Sequence, residues 1–380
     1  MKKWALALEG GSLRCMFSAG AVDVMMEQGL WSDGVFGVSA GALTGVNYVS
    51  RQVGRTAQVN LDYVNDKRYL GLGNLIFKKS IFNFDFLFGE ISDKLIPLDR
   101  ETFAASPTRF TAVATDCRTG QPVFWEKHSC QDIYGAIRAS ASMPLLAPTV
   151  EVEGIPCVDG GASLSIPYAR ALEEGYDKVV VITTREHGYR KPQTPRALAR
   201  LYAKHYKQYP QLVRALLETP RRYARELDAL DRLEAQGKVF VLRPPEPVTV
   251  SRTERDLIKL RALYAQGRQV CRNSWKHWPA IWKAEKEAPP GEPLFHFIFP
   301  ILPKILAATK PMNTIGTTSS STSSTTAIFT ATPHAASMMQ TSRERHTTAK
   351  TAGSSRSIPE NVGARAGSFS RQRPIHQWNR

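Results

Sequence analysis

Five residues near the start of the chain, 37–41, read GxSxG and offer a serine as a nucleophile. They follow a short apolar run and precede a helical pattern that extends from Ala40 to about Val53. A serine on such a strand-to-helix turn presents its hydroxyl away from the backbone, and the flanking Gly37 and Gly41 remove side chains that would collide across the bend. The pattern predicts acyl-ester hydrolysis with Ser39 as the attacking group.

A glycine turn lies upstream, where the apolar run Trp4 to Leu8 gives way to Glu9, Gly10 and Gly11. Backbone N–H groups at such a turn, and at the start of a helix, can stabilise the oxyanion that forms when an ester carbonyl is attacked. The candidate oxyanion-hole residues are Gly10, Gly11, Ser12, Leu13, Arg14 and Ala40. The same turn could bind a nucleotide phosphate, but it does not complete a GxGxxG motif.

A serine hydroxyl also needs a base, and Asp159 is the candidate. It ends a predicted strand, Ile155 to Val158, and is followed by Gly160 and Gly161. Taken alone, an Asp-Gly-Gly sequence is typical of a simple turn. Together with the two upstream motifs, and at a strand end like them, it indicates a catalytic carboxylate.

The elements that must position these residues alternate between strand and helix patterns. The first fifty residues predict a βαβα unit with parallel strands. Further strands are predicted at 108–114, 123–125, 155–158, 179–184 and 239–242, and helices at 16–28, 133–140, 168–174 and 256–266. Between 197 and 236 leucines recur at helical spacing, and we expect Pro210 and Pro220 to interrupt that helix.

Composition divides the chain into a folded part and a tail. Of 380 residues, 42% are hydrophobic, which is enough for a sizeable core. We expect a catalytic domain over 1–285, with a motif core at 4–185 and a helical extension with a return strand at 186–285. Residues 286–380 contain an unbroken Ser/Thr run, Thr317 to Thr326, and are expected to be a linker and a disordered basic tail.

The net charge is +16, and residues 301–380 supply +8 of it, with ten Lys/Arg against two Asp/Glu. The remaining excess concentrates at 190–225 and 252–272. Solvated basic helix faces explain such runs, and they also allow peripheral contact with an anionic membrane surface. We expect lipid rather than nucleic acid as the partner.

Five scattered cysteines without a CxxC pair predict neither a disulfide framework nor a zinc site. No signal peptide is predicted, because Glu9 interrupts the first apolar stretch. The segment Leu294 to Leu306 contains two prolines and could lie only at an interface. These features predict a cytoplasmic protein without a transmembrane helix.

The motifs, in this order, resemble the patatin-like phospholipase family. The matching residues are Glu9 to Arg14, residues 37–41 and Asp159 to Gly161, and the segment Ile137 to Pro144 is similar to the one that precedes the family's aspartate strand. The resemblance covers roughly residues 4–185. It implies a three-layer α/β/α fold with a mostly parallel central sheet.

The resemblance also implies a phospholipid or other acyl-ester substrate, a Ser39–Asp159 dyad with an acyl-enzyme intermediate, and no metal or organic cofactor. Three positions depart from the family pattern, because Ser12 and Cys15 stand where it has glycines and Glu9 stands where aspartate is commoner. The N–H of Ser12 can serve the oxyanion if its φ is negative, whereas a turn that needs positive φ there would reduce activity.

Two other functions stay open at this point. The first is an α/β-hydrolase with a Ser-Asp-His triad that uses His187, His205 or His277. The early position of the GxSxG motif argues against it, because the nucleophile of that fold normally follows several strands. The second is a non-catalytic protein of the same fold that binds anionic lipid through its basic faces.

Overall fold

The fold is described by a computed structural model over residues 3–77 and 79–275. The expected linker and tail at 286–380, the segment Leu294 to Leu306 and His277 lie outside these described residues. Within them, eight strands form one sheet: β1 (Trp4–Leu8), β2 (Gly34–Val38), β3 (Arg109–Asp116), β4 (Pro122–Glu126), β5 (Val150–Val152), β6 (Ile155–Asp159), β7 (Lys178–Ile182) and β8 (Val239–Leu242).

The helices follow the strands as crossovers and as an extension after β7. They are α1 (Cys15–Glu27), α2 (Ala40–Val49), α3 (Arg55–Tyr63), α4 (Leu72–Phe77), α5 (Phe84–Phe86), α6 (Arg100–Ala105), α7 (Ile133–Ser140), α8 (Tyr168–Glu173), α9 (Arg196–His205), α10 (Pro210–Ala235) and α11 (Leu257–Trp275). A π-helical stretch, Leu87–Leu95, follows α5, and short 3-10 turns cover Ser12–Arg14 and Gly160–Ala162.

The sheet is mostly parallel. Its strand order is β5-β6-β3-β2-β1-β7-β8, and β4 pairs with β3. The pairs β1–β2, β1–β7, β2–β3 and β7–β8 are parallel, whereas β3–β4, β3–β6 and β5–β6 are antiparallel. The structure therefore confirms the predicted α/β fold with a mostly parallel central sheet.

Strand β1 shows why the sheet is covered on both faces. Leu6 and Leu8 point into a core shared with α1, α2 and α11, whereas Ala5 and Ala7 point into a second core shared with α8 and α10. Because successive side chains of a strand alternate between faces, an uninterrupted apolar strand needs a helical layer on each side. The result is the three-layer arrangement.

Helix α11 packs unusually close to α1. A Cβ atom added to Gly20 would collide with the Tyr264 carbonyl, and one added to Gly267 would collide with the Phe17 carbonyl. Two glycines in facing positions thus allow the backbones of the two helices to meet. This contact fixes the end of the described chain against the helix that follows β1.

Several predicted helix bounds were wrong, and α11 continues to Trp275 rather than ending at Gln266. The helix after Ser39 ends at Val49 rather than near Val53, because the chain turns at Arg51, which has a φ of 59°. Pro220 does not interrupt its helix but lies buried inside α10. Buried side chains on both sides of it, Leu216 and Tyr223 among them, pack against the sheet layer and offset the cost of about 3 kcal/mol that an internal proline carries.

In residues 3–77 and 79–275, no helix is long and apolar enough to cross a membrane. All five cysteines lie in this part of the chain, and none is in a disulfide.

Candidate active site

Strand β3 brings Ser39 and Asp159 together. Strand β2 runs along one edge of β3 and ends at Val38, which pairs with Val113. Strand β6 comes from the opposite direction and ends at Asp159, which pairs with Ala114. Since β4 occupies the other edge of β3, β2 and β6 meet end to end on the same edge. The residues at the two strand ends must therefore lie side by side.

The Ser39 hydroxyl donates a hydrogen bond of 2.6 Å to Oδ2 of Asp159. Both residues are buried, each with 7% of its surface exposed. The second carboxylate oxygen, Oδ1, accepts the Gly161 N–H at 2.8 Å, which fixes the orientation of the carboxylate. The structure thus joins the two residues that the sequence proposed as nucleophile and base.

The backbone of Ser39 is strained in the way that a nucleophile turn requires. Its φ and ψ are 57° and −124°, a region that costs a non-glycine residue about 1–3 kcal/mol. Gly37 and Gly41 make the bend possible, since a Cβ on Gly37 would collide with Ala42 and one on Gly41 with the Leu8 carbonyl. Both glycines therefore stand where a side chain would collide across the bend.

Ser140 supports the turn, and sequence reasoning did not single it out. Its hydroxyl accepts the Ser39 N–H at 2.8 Å and donates to the Val113 carbonyl at 2.5 Å. Two residues later, the Ser142 carbonyl accepts the Asp159 N–H at 2.8 Å. Both serines belong to the segment Ile137 to Pro144. The family resemblance pointed to this segment, but not to the two serines that make these hydrogen bonds.

The glycine turn lies directly beside Ser39. A Cβ on Gly10 would come within 3.0 Å of the Ser39 Cβ, and one on Gly11 would lie 2.6 Å from Oγ1 of Thr184. Glu9 holds the turn from behind, because its carboxylate accepts the Thr184 N–H at 2.6 Å and the Tyr223 hydroxyl at 2.7 Å. The turn is therefore fastened both to the end of β7 and to α10.

Some backbone N–H groups of the glycine turn already donate hydrogen bonds within the protein, and others do not. The Arg14 N–H donates to the Gly11 carbonyl at 3.2 Å, and the Gly10 N–H makes a long bond of 3.4 Å to the Ser165 carbonyl. Among the described residues, no backbone acceptor faces the N–H of Gly11, Ser12 or Ala40. These three groups remain available to a ligand at Ser39.

Ser12 has a φ of 51°, in the left-handed region that favours glycine. We expected the N–H of Ser12 to stabilise the oxyanion if its φ were negative, and the observed φ is positive. The backbone of Ser12 is therefore strained in the turn. Its hydroxyl donates a 2.6 Å hydrogen bond to the Arg252 carbonyl, which ties the turn to the loop before α11. Cys15, by contrast, has an ordinary helical φ of −60° and needs no glycine.

The electrostatic surroundings make Asp159 a stronger base than a solvated carboxylate. Burial raises its pKa, while the hydrogen bonds from Ser39 and Gly161 and the charges of Arg252 and Lys191 act in the opposite direction. A higher pKa increases the proton affinity that a carboxylate needs in order to activate a hydroxyl. Burial is the larger influence.

Two cavities open at Ser39 and share Ser12, Ser39 and Met143. The first, called here the apolar cavity, has an empty volume of about 830 Å³. Its walls come mainly from α2, α3, the 82–98 segment and α7, and include Leu43, Val59, Phe84, Leu87, Leu98 and Ile137. No motif in the sequence indicated that these residues line a cavity.

The second, called here the basic cavity, has an empty volume of about 1360 Å³ and extends past Asp159 and the glycine turn. Four cationic side chains line it, namely Arg14, Arg185, Lys191 and Arg252. Lys191 and Arg252 belong to the basic runs that the sequence analysis interpreted as solvated helix faces. The structure places these two residues at the site instead.

No histidine of the described residues lines either cavity. His187 lies 3.4 Å from Oδ2 of Asp231, and the ring of His205 packs against Tyr206. Nor do the described residues contain a group of three or more His, Cys, Asp and Glu side chains that could hold a metal ion.

Comparison with known proteins finds two family models that match parts of the chain. Residues 6–172 match the family model described as patatin-like phospholipase, and residues 209–283 match one described as a domain of unknown function, DUF6363. The first match includes the glycine turn, Ser39 and Asp159. The second covers α10, β8 and α11.

The individual relatives are identical to this chain at about a quarter of the aligned residues. The chain is 27% identical to the protein named "Uncharacterized protein YjjU" of Escherichia coli (strain K12) over 272 residues, which are 70% of this chain and 74% of that protein. It is 26% identical over 179 residues to an uncharacterized NTE family protein of Mycobacterium tuberculosis (strain ATCC 25618 / H37Rv), of which it spans about half, 48%. Among solved structures, VipD from Legionella pneumophila aligns with 72% of this chain and 67% of its own at a TM-score of 0.36 and 12% identity.

Proposed function

We propose that the chain is a lipid acyl hydrolase of the phospholipase A or esterase type, because residues 6–172 match the family model described as patatin-like phospholipase. In this proposal Ser39 is the nucleophile and Asp159 the general base. The observation that carries it is the 2.6 Å hydrogen bond between two buried side chains at the meeting point of β2 and β6.

The reaction begins when the ester carbonyl reaches Ser39. The Ser39 hydroxyl transfers its proton to Oδ2 of Asp159 as Oγ bonds to the carbonyl carbon, and the carbonyl oxygen becomes an oxyanion. We assign the stabilisation of that oxyanion to the free N–H groups of Gly11, Ser12 and Ala40, with Leu13 and Gly10 completing the turn. Removal of one such donor typically costs about 3–4 kcal/mol of transition-state stabilisation.

The tetrahedral intermediate then collapses. The bond to the alcohol breaks, the alcohol takes the proton from Asp159, and the acyl group remains on Ser39 as an ester. Water next attacks this acyl-enzyme, gives its proton to Asp159 and releases the fatty acid, while Ser39 recovers its hydrogen. The two residues and water balance the reaction, so it requires no metal or organic cofactor.

The apolar cavity suits the acyl chain. Ser39 lies at its opening, and its walls are the side chains of a buried core. Burial of a chain there removes apolar surface from water at about 25 cal/mol per Å². The alcohol part of the substrate would then face the basic cavity on the other side of Ser39.

Peripheral contact with a membrane surface is part of the proposal. Helix α9 directs Leu198 and Tyr202 toward the basic cavity, whereas Arg200, Leu201 and Lys204 are exposed. One side of α9 thus faces the cavity, and the other carries two cations and an apolar residue. A helix of this kind can lie on an anionic lipid surface and direct the opening of the site toward that surface.

Active-site labelling tests the proposal. A fluorophosphonate probe should react with Ser39 in the full chain, and Ser39→Ala should abolish both labelling and the hydrolysis of p-nitrophenyl butyrate. Ser50→Ala is a matched control, since Ser50 is buried at the end of α2 and its hydroxyl contacts only Asn47 and Gln52. Labelling that persists in Ser39→Ala overturns the assignment, and the absence of any ester turnover in the native chain favours a lipid-binding role.

A further inference from the structure

Four cations converge on the basic cavity from three segments of the chain. Arg14 comes from the glycine turn, Arg185 and Lys191 from the segment between β7 and α9, and Arg252 from the loop before α11. Because these three segments are far apart in sequence, their convergence is a property of the fold rather than of one basic run.

The four cations lack acidic partners. Within the described part of the chain, none of them takes part in an ion pair closer than 4.0 Å. Only 8% of the surface of Arg14 is exposed, and its Nε has no hydrogen-bond partner among the described residues. Arg185 donates from Nη1 to the Val248 carbonyl at 2.8 Å, and Lys191 donates from Nζ to Oγ of Ser165 at 3.0 Å. A buried guanidinium nitrogen without a partner indicates that a ligand completes the site.

The proximity of the four cations, and the burial of Arg14 and Lys191, make the positive charges costly. Burial, followed by the charges of Arg185 and Arg252, lowers the pKa of Arg14 to about 10. Burial also lowers the pKa of Lys191 to about 8. The charges of Glu9 and Glu226 act against this shift, and the smaller influences of Arg252 and Arg14 act in the same direction as burial. An anion bound among these groups would relieve their mutual repulsion.

Besides Asp159, which also lines the basic cavity, two carboxylates lie near the cations without direct contact to them. Both oxygens of Glu9 accept hydrogen bonds from Thr184 and Tyr223. Oε2 of Glu226 accepts the Ser165 N–H at 3.1 Å, and burial raises the pKa of Glu226 to about 7, so part of it is protonated at neutral pH. The cavity therefore keeps an excess of positive charge beside the candidate dyad.

The position of this charge matches a phospholipid. An acyl chain in the apolar cavity places its ester carbonyl at Ser39, and the glycerol that follows leads into the basic cavity. We propose that Arg14, Arg185, Lys191 and Arg252 bind the phosphate of a glycerophospholipid with an anionic headgroup. Arginine suits this task because its planar fork matches phosphate oxygens. A choline headgroup would add a further cation to the four, so anionic headgroups are favoured over zwitterionic ones.

The inference rests on the proposed acyl hydrolysis, and the test separates the two. Short dibutyroyl lipids are used as monomers, below their micellar concentration, so that attraction to a charged surface does not enter. The substrates are dibutyroyl phosphatidylglycerol, dibutyroyl phosphatidylcholine and neutral dibutyroylglycerol. We expect kcat/KM to be about tenfold or more higher for phosphatidylglycerol than for dibutyroylglycerol, with phosphatidylcholine between them.

Arg252→Gln is the informative variant, because Arg252 is exposed and, within residues 3–77 and 79–275, its guanidinium makes no hydrogen bond or ion pair. We expect it to reduce the ratio of phosphatidylglycerol to dibutyroylglycerol turnover about three- to tenfold. Arg214→Gln, an exposed arginine of α10 outside both cavities, should leave that ratio unchanged.

Each other outcome has a defined meaning. Equal turnover of the three lipids, or a ratio that Arg252→Gln does not change, overturns the headgroup site while leaving the hydrolase intact. Failure to hydrolyse all three lipids and p-nitrophenyl butyrate overturns the hydrolase itself. If inorganic phosphate inhibits phosphatidylglycerol turnover at lower concentration than glycerophosphoglycerol does, the cavity is a site for free phosphate and the inference is wrong.

Discussion

The hydroxyl of Ser39 and the carboxylate of Asp159 are 2.6 Å apart although 120 positions separate them in the chain. Their distance is set by strand register rather than by a flexible loop, because Val113 and Ala114 of β3 pair with the last residues of β2 and β6. A site held by three strands keeps its geometry when a single side chain is changed. Substitutions at the dyad should therefore affect chemistry more than stability.

Asp159→Asn tests the base. An amide keeps the size of the side chain but cannot accept the serine proton, and loss of a general base typically lowers the rate about 10²–10⁴-fold. We expect kcat/KM for p-nitrophenyl butyrate to fall by that amount while the urea unfolding midpoint changes little. Asp62→Asn, at an exposed position of α3, is the control. Retention of native activity in Asp159→Asn would remove Asp159 from the mechanism.

The acid limb of the pH profile should report Asp159. Burial raises its pKa, so the reactive carboxylate form is lost at a higher pH than for a solvated aspartate. Arg252 and Lys191 lower that pKa, as do the hydrogen bonds from Ser39 and Gly161. Removal of a positive charge in Arg252→Gln should consequently move the acid limb of kcat/KM to higher pH. Profiles on p-nitrophenyl butyrate at constant ionic strength measure the shift, and a movement to lower pH contradicts the assignment.

The fold was largely predictable from local patterns. Short apolar runs located β1, β2, β6, β7 and β8, and the helix Ile133–Ser140 was predicted with its observed bounds. These elements have strong periodicity and defined ends. The π-helical stretch and the short edge strand β5 carry little such signal, and they were not predicted.

The site was predictable only in part, for physical reasons. Ser39, Asp159 and the glycine turn stand at strand ends and are visible in sequence. Ser140 acts through its hydroxyl on a backbone N–H, and nothing in its neighbours marks that contact. The cations of the basic cavity come from separate loops, and no local pattern predicts that loops converge. The apolar cavity depends on tertiary packing of the 55–98 region.

Ser12 offers a direct measurement of backbone strain in the glycine turn. Ser12→Gly and Ser12→Ala both lose the bond to the Arg252 carbonyl, but only alanine keeps a side chain at a φ of 51°. We expect Ser12→Ala to be less stable than Ser12→Gly by about 1 kcal/mol, and to be the less active of the two. Urea unfolding and esterase assays compare them. Equal stability of the pair would show that the turn tolerates a side chain without strain.

The apolar cavity should set the preferred chain length. Val59 lies on α3 in its wall, so Val59→Phe fills part of the space that a long chain would occupy. We expect the ratio of p-nitrophenyl decanoate to butyrate turnover to fall severalfold, since each excluded methylene forfeits about 0.8 kcal/mol of burial. Val53→Phe, at a position with 48% exposure, is the matched control. A ratio that stays constant in Val59→Phe would place the acyl chain elsewhere.

Contact between α9 and a membrane should depend on charge. Arg200 and Lys204 are exposed on this helix beside Leu201, which has 48% of its surface accessible. Each cation near an anionic surface contributes about 1 kcal/mol, and salt screens that attraction over roughly 8 Å at physiological ionic strength. Co-sedimentation with phosphatidylglycerol vesicles should therefore weaken about tenfold or more in the double variant Arg200→Glu, Lys204→Glu, and should weaken with salt in the native chain. The pair Arg214→Glu, Arg221→Glu on α10 controls for net charge, and equal losses in both double variants would show that binding reflects total charge rather than α9.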